Sequence, residues 1–257
     1  MTIFFYIIFG LLPSLIWLLF YLQKDSHPES NRMILKVFFY GMIAAVGAVG
    51  VEIALSKIFV GTRFSEEMAA IFPIPYFLIY HFLLVSFVEE FSKFSVVRLK
   101  VYKSSELDEP LDLMLYMIIA ALGFAALENL LYIFPVLIPG QEMSIIQAGT
   151  VSFFRFAGAT FLHALASGTA GFFLAYSIFK GKHRFLLASA GIALATLLHG
   201  LFNISIMGIE DGLVGKNHPL LISSIIFLII LISVLAIAVS AGFRKLKKMA
   251  GICKINV

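Results

Sequence analysis

Residues 112–134 read DLMLYMIIAALGFAALENLLYIF, an apolar run that carries a carboxylate, Glu128, and an amide, Asn129, near its far end. About 20 mainly apolar residues are needed to cross the hydrocarbon layer as a helix. This stretch meets that length. Runs of similar size lie at 2–22, 34–60, 68–97, 151–179, 185–208 and 219–242. The predicted fold is therefore an all-α polytopic transmembrane bundle of about seven spans. The composition agrees, with 61% hydrophobic and only 13% charged residues. Soluble domains carry about 25% charged residues.

The run 2–22 lacks a basic leader and a small-residue cleavage site, so it reads as a retained helix. With the spans removed, little chain is left over, and residues 1–257 are expected to form one membrane domain. Cys253 is the only cysteine, which leaves no intrachain disulfide and no cysteine metal cluster. The net charge of +4 comes from short clusters beside apolar runs, which argues against a nucleic-acid partner and for topology signals. Lys24, Arg32 and Lys36, then Arg98, Lys100 and Lys103, then Lys180, Lys182 and Arg184, then Arg244, Lys245, Lys247 and Lys248 fall on alternate connections. The other connections hold only Lys57, Arg63 and Lys216. The expectation is a cell (cytoplasmic) membrane protein with its N-terminus outside and its C-terminus cytoplasmic.

Ionisable groups at mid-membrane cost roughly 2.5–3.5 kcal/mol each on insertion scales and commonly mark function. Four consecutive spans contain them: Glu89, Glu90 and Lys93; Glu128 with Asn129 and Tyr132; Arg155 and His163; His199 and Asn203. At 1.5 Å per residue from the basic ends, Glu89 lies about 16 Å deep, Glu128 about 24 Å, His163 about 25 Å and His199 about 22 Å. One slab thus holds them all. Glu89 and Lys93 are spaced i,i+4 and can pair; Glu128 with Tyr132, His163 with Ser167, and His199 with Asn203 share helix faces. Glycines and alanines around His163 suit close helix packing.

A carboxylate in such a place is suited to activate water as a general base, and His199 with Asn203 to donate to an oxyanion. Glu89, Glu90, Glu128, His163 and His199 are also a set from which zinc ligands are drawn. Because Asn203 stands where a paired-histidine zinc helix would carry its second histidine, the reading leans toward metal-free, glutamate-activated water. Ser167 beside His163 is a weaker nucleophile pairing. Glu52 and His81 read as cavity-lining or interfacial, Arg155 as a snorkelling or site residue, and Asp108 to Asp112 as a helix entrance. His27, His183 and His218 are loop residues. Two other classes of function stay open, an ion-coupled transporter or channel and a non-catalytic binding or immunity homologue. A transport pathway predicts polar groups strung across the membrane and commonly repeated halves.

Taken in order, Glu89-Glu90-x-x-Lys93, the Asp108–Asp112 segment, Gly123 to Asn129 with Tyr132, Arg155 with His163, and His199-x-x-x-Asn203 resemble the PrsW family of bacterial multi-pass membrane proteases. The likeness covers roughly residues 75–210 and extends distantly to the CAAX-protease and bacteriocin-immunity superfamily. It implies an intramembrane endopeptidase in which Glu89 or Glu90 activates water, His163 orients or shares it, and His199 with Asn203 holds the oxyanion. Lys93, Glu128, Asn129, Tyr132 and Arg155 would support them. It also implies a membrane-anchored protein substrate such as an anti-sigma factor. The chain departs from the superfamily's pattern by Lys93, three residues after the second glutamate where an arginine stands four after it, and by the extra Glu128.

Overall fold

A computed structural model describes residues 2–25, 27–59, 66–67, 70–71, 84–134, 143–179 and 183–250. His81, Arg63, Lys180, Lys182, Cys253 and most of the third expected span before Leu84 lie outside the described residues. Helices follow one another throughout: α1 (Thr2–Leu22), α2 (Asn31–Phe59), α3 (Ser86–Lys100), α4 (Pro110–Ile133), α5 (Ile145–Ala157), α6 (Ala159–Phe179), α7 (Arg184–Val214) and α8 (His218–Ala250). The chain is an all-α, multi-pass membrane protein, with six helical stretches among the described residues long and apolar enough to span, α5 and α6 counting together as one. The third expected span is represented by α3, entered through a π-turn at Leu84 and Val85.

Several boundaries differ from the sequence reading; α7, for one, runs on to Val214 rather than 208. The fifth span starts at Ile145 rather than 151 and breaks at Gly158, whose backbone leaves the helical region. Trp17 fixes that break: its ring stacks on Phe161 at 4.0 Å, and its Nε1 donates to the Phe156 carbonyl at 2.9 Å. The basic segment from Arg244 continues α8 instead of forming a tail. Lysine and arginine are good helix formers, and cations suit the C-terminal end of the helix dipole.

α4 is the post around which the bundle is built. Of its span window 94% is buried inside the protein, against 6% for α8, which turns its Ile and Phe side chains outward. α4 packs on α6, α2 and α1, and also meets α3, α5 and α8. Glycine sets the closest approaches. A Cβ on Gly123 would sit 2.0 Å from the Phe38 carbonyl oxygen, one on Gly41 2.2 Å from that of Ala120, and one on Gly171 2.6 Å from the Met114 Cα. Backbones therefore touch at these points, as small residues permit inside membranes.

The Lys- and Arg-rich connections share one end of the bundle. There His27 Nδ1 lies 2.8 Å from Glu109, Lys100 covers the Tyr40 ring at 3.9 Å, and Lys245 lies 5.1 Å from the Tyr176 ring. α4 enters at this end with Pro110 in its first turn, and Asp112 Oδ2 accepts from the Glu109 and Asp108 amides at 2.6 and 3.0 Å. Tyr116 donates its hydroxyl to Glu29 just before α2. Burial pushes the Glu29 carboxyl up to about 9, and neighbouring Asp112 adds to the rise against the opposing Tyr116 bond.

Replacing Gly123 by valine should force α2 and α4 apart at a cost of about 1–3 kcal/mol or more. Thermal denaturation in detergent should show this loss, whereas Gly50→Ala, where a Cβ meets nothing within 4 Å, should change little. Glu29 makes a signed pH prediction. Between its ordinary 4.5 and about 9 the folded state holds a proton that the unfolded chain has released. Its stabilising effect is therefore full below that window and is lost as pH rises through it. Glu29→Gln should flatten this part of the Tm–pH curve, and an unchanged slope would contradict the assignment.

Candidate active site

Three residues of α3 supply the centre. Glu89, Glu90 and Lys93 are all buried, Lys93 completely so. Helical spacing brings the Lys93 Nζ back over the preceding turn, 2.7 Å from Glu90 Oε1 and 3.4 Å from Glu89 Oε2. Its third neighbour comes from another helix: His163 Nδ1 of α6, at 2.7 Å. The three N–H bonds of the ammonium thus meet three acceptors, and Phe124 presents its ring face at 4.5 Å.

This contact decides the chemistry of His163. Nδ1 accepts from Lys93, so Nε2 carries the ring proton and donates to Glu128 Oε2 at 2.7 Å. Glu128 is held in turn by Arg155, whose Nη2 lies 3.1 Å from Oε1, near enough for an ion pair but not aligned as a hydrogen bond. Arg155 Nε donates to Asn129 Oδ1 at 2.5 Å, and the Asn129 amide donates to Thr160 Oγ1 at 3.1 Å. The guanidinium also stacks on the Tyr132 ring at 4.1 Å. Arg155 therefore points into the site instead of snorkelling outward.

His199 of α7 is set in the opposite sense. Its Nδ1 donates to Glu90 Oε1 at 2.9 Å, which leaves Nε2 as an acceptor 3.8 Å from Glu89 Oε2. Ser167 donates to the other Glu90 oxygen at 2.8 Å. The Glu90 carboxylate is thus occupied by Lys93, His199 and Ser167, and is enclosed. Asn203 does not join His199 in facing a common target; among the described residues its amide reaches Ser86 Oγ, at 3.5 Å. Ser167, Ser86, Thr160 and Phe124 complete the site. Their signal in the sequence was helical spacing, since Ser167 and Thr160 lie four after and three before His163, and Phe124 lies four before Glu128.

The result is a cluster of lone pairs. Glu89 Oε2, His163 Nδ1 and His199 Nε2 converge, with Glu89 3.9 Å from the first histidine and 3.8 Å from the second. One donor atom from each of the three residues lies within 4.8 Å of the other two. Two imidazoles and a carboxylate are a common ligand set of catalytic zinc. Each imidazole is also backed at its other nitrogen by a carboxylate, Glu128 or Glu90, as metal-bound histidines commonly are. The Lys93 ammonium lies against two of the same atoms, so the pocket already accommodates positive charge. The donor types fit a divalent metal, which would take the single Nδ1 lone pair of His163 and the Glu89 oxygen in place of the Lys93 N–H bonds. The sequence leaning toward metal-free chemistry rested on the lack of a second histidine on the His199 helix, whereas the second histidine here is His163 of α6, already among the possible ligands.

Glu89 and Glu128 give the cluster its open side, with side-chain exposures of 10% and 23% against 1% for Glu90. No solved structure matches the chain. Among curated proteins it is 30% identical to Protease PrsW of Geobacillus kaustophilus over 184 residues, covering 72% of this chain and 71% of that one. It is 26% identical to Protease PrsW of Bacillus subtilis over 204 residues, 79% and 83% of the two chains, and 28% identical to that of Clostridioides difficile over 203 residues, 77% of each. The sequence profile of the PrsW family of intramembrane metalloproteases matches residues 29–243, and the chain belongs to that family.

Proposed function

We propose that this intramembrane protease hydrolyses a peptide bond of a membrane-anchored protein at Glu89, His163 and His199, with Glu128, Glu90 and Lys93 holding those three in place. The observation that carries the reading is the convergence of three acceptor atoms, Glu89 Oε2, His163 Nδ1 and His199 Nε2, of which the first two accept from Lys93. A divalent ion such as zinc, held by these three residues, would supply Lewis-acid polarisation of water and of the peptide carbonyl. Family membership displaces the transport and immunity readings, and the donor set turns the metal-free leaning toward metal assistance.

Of the two adjacent glutamates, Glu89 is the one suited to take a proton from water. Glu90 has its oxygens committed to Lys93, His199 and Ser167. A carboxylate has two oxygens, so Glu89 can hold an ion through one and accept a proton at the other. The same oxygen then returns the proton to the departing amine. Glu128 and Glu90 keep the histidines in the tautomers that turn their lone pairs inward. His199 spends its N–H on Glu90, so its proposed role is as ligand rather than oxyanion donor. Asn203 positions Ser86 on α3. Arg155, with Asn129 and Tyr132 around it, fixes Glu128.

By resemblance, the substrate is a regulatory membrane protein of the anti-sigma-factor type. The basic end of the bundle is proposed to face the cytoplasm, in keeping with the positive-inside rule.

With a single-pass model substrate and purified enzyme, Glu89→Gln should lower turnover at least about a thousandfold while folding and insertion persist. Arg155→Met should lower kcat about 10- to 100-fold by loosening Glu128 and His163. Wild-type turnover by Glu89→Gln would sink the proposal. For orientation, single cysteines in a Cys253→Ser background should be labelled from the cytoplasm at His183→Cys and from outside at Gly215→Cys. The reverse pattern would invert the topology.

A further inference from the structure

The proposed mechanism uses three intramembrane glutamates, and a fourth stands next to them. Glu52 belongs to the face of α2 that carries Gly41, Ala45 and Ala48, the residues that pack on α4 around Ala120 and Phe124. One turn beyond Ala48 this face changes from small and apolar to long and acidic. Side chains lean toward the N-terminus of their helix, so Glu52 on α2 leans toward the basic end. Glu89, on a helix whose basic residues lie at its C-terminus, leans the opposite way, toward Glu52. The Glu52 carboxylate lies within electrostatic reach of Glu89, Glu128 and Lys93. Its Oε1 is sealed from solvent and has no hydrogen-bond partner among the described residues.

An enclosed acceptor is costly unless a donor meets it. The described cations of the site are already committed, Lys93 to Glu90, Glu89 and His163, and Arg155 to Glu128 and Asn129. Among the described residues, four carboxylates thus share two fixed positive charges. Glu52 also falls outside the group of atoms suited to hold a metal. Among the described residues this leaves the Glu52 carboxylate free to take a further cation. By helix rise Glu52 lies about 32 Å from the start of α2 at the basic end, near the far interface. Lysines and arginines flanking a transmembrane segment reach for such an interface.

Resting on the protease reading above, we propose that Glu52 is a specificity-determining residue whose carboxylate receives a lysine or arginine side chain of the substrate, on the far-end side of the scissile bond. An extended peptide advances about 3.3 Å per residue, so the basic residue falls within about three positions of that bond.

The test uses full-length enzyme in nanodiscs and fluorescent single-pass peptides that differ only in having Lys, Met or Glu at each of the three positions beyond mid-segment toward the far end. Binding by anisotropy and cleavage are read on the same samples. Wild type should bind one Lys peptide about tenfold more tightly than its Met counterpart, a gap of about 1.4 kcal/mol. Glu52→Gln should erase that preference, and Glu52→Lys should turn it toward the Glu peptide, with unfolding checked by Tm. An identical Lys-to-Met ratio in wild type and Glu52→Gln at all three positions overturns the proposal, even where cleavage proceeds. A Glu52-dependent preference in binding without cleavage of any peptide would leave the subsite standing and remove the protease reading instead.

Discussion

A lysine ammonium enclosed in a membrane protein must find an acceptor for every N–H bond, because no water is there to supply one. Lys93 meets this demand with Glu90, Glu89 and His163, drawn from two helices. The rest of the site follows from that bond set. Because His163 Nδ1 accepts from Lys93, its proton sits on Nε2 and calls for Glu128; Glu128 then calls for Arg155. Because Glu90 is held by Lys93, it is fixed where His199 and Ser167 can donate to it. A single buried cation thus orders polar groups on five helices. Removing it would leave adjacent carboxylates unpaired in a low-dielectric setting, a far larger penalty than the loss of one surface ion pair.

The scaffold supplies closeness rather than chemistry. Gly41, Gly123 and Gly171 let α2 and α6 touch the backbone of α4, and this brings Glu128 within one hydrogen bond of His163. The break at Gly158, fixed by the Trp17 ring, lets one stretch of chain carry Arg155 on α5 and His163 on α6 into the same network. Neither helix contact nor break is polar, yet the separations in the site depend on both.

Much of this was legible in the sequence. Apolar run length gave the helical bundle, and charges misplaced in those runs marked Glu89, Glu90, Glu128, His163 and His199, which the structure gathers into one network. The Lys93 pairing followed from i,i+4 spacing. What spacing cannot reveal is how each helix is rotated against its neighbours. His199 and Asn203 share a face, but that face spans enough arc for one to meet Glu90 while the other reaches Ser86. Both histidines stood among the possible zinc ligands, but the sequence could not say which nitrogen of each ring is free, since they lie on different helices and that nitrogen is decided by the partner on the other side. For Arg155 the sequence leaves snorkelling and a site role both open, because it places the residue near an interface and says nothing of Glu128 beside it.

The central claim is that Glu89, His163 and His199 form one metal-assisted hydrolytic site. X-ray absorption at the zinc edge of wild-type enzyme purified without chelators, compared with Glu89→Gln and His163→Ala, tests it most directly. The account predicts about one zinc per chain with a first shell of nitrogen and oxygen and no sulfur, two of the nitrogens from imidazole, and loss of zinc in His163→Ala. Fully active enzyme with no stoichiometric metal, or a zinc shell unchanged by both substitutions, would contradict it.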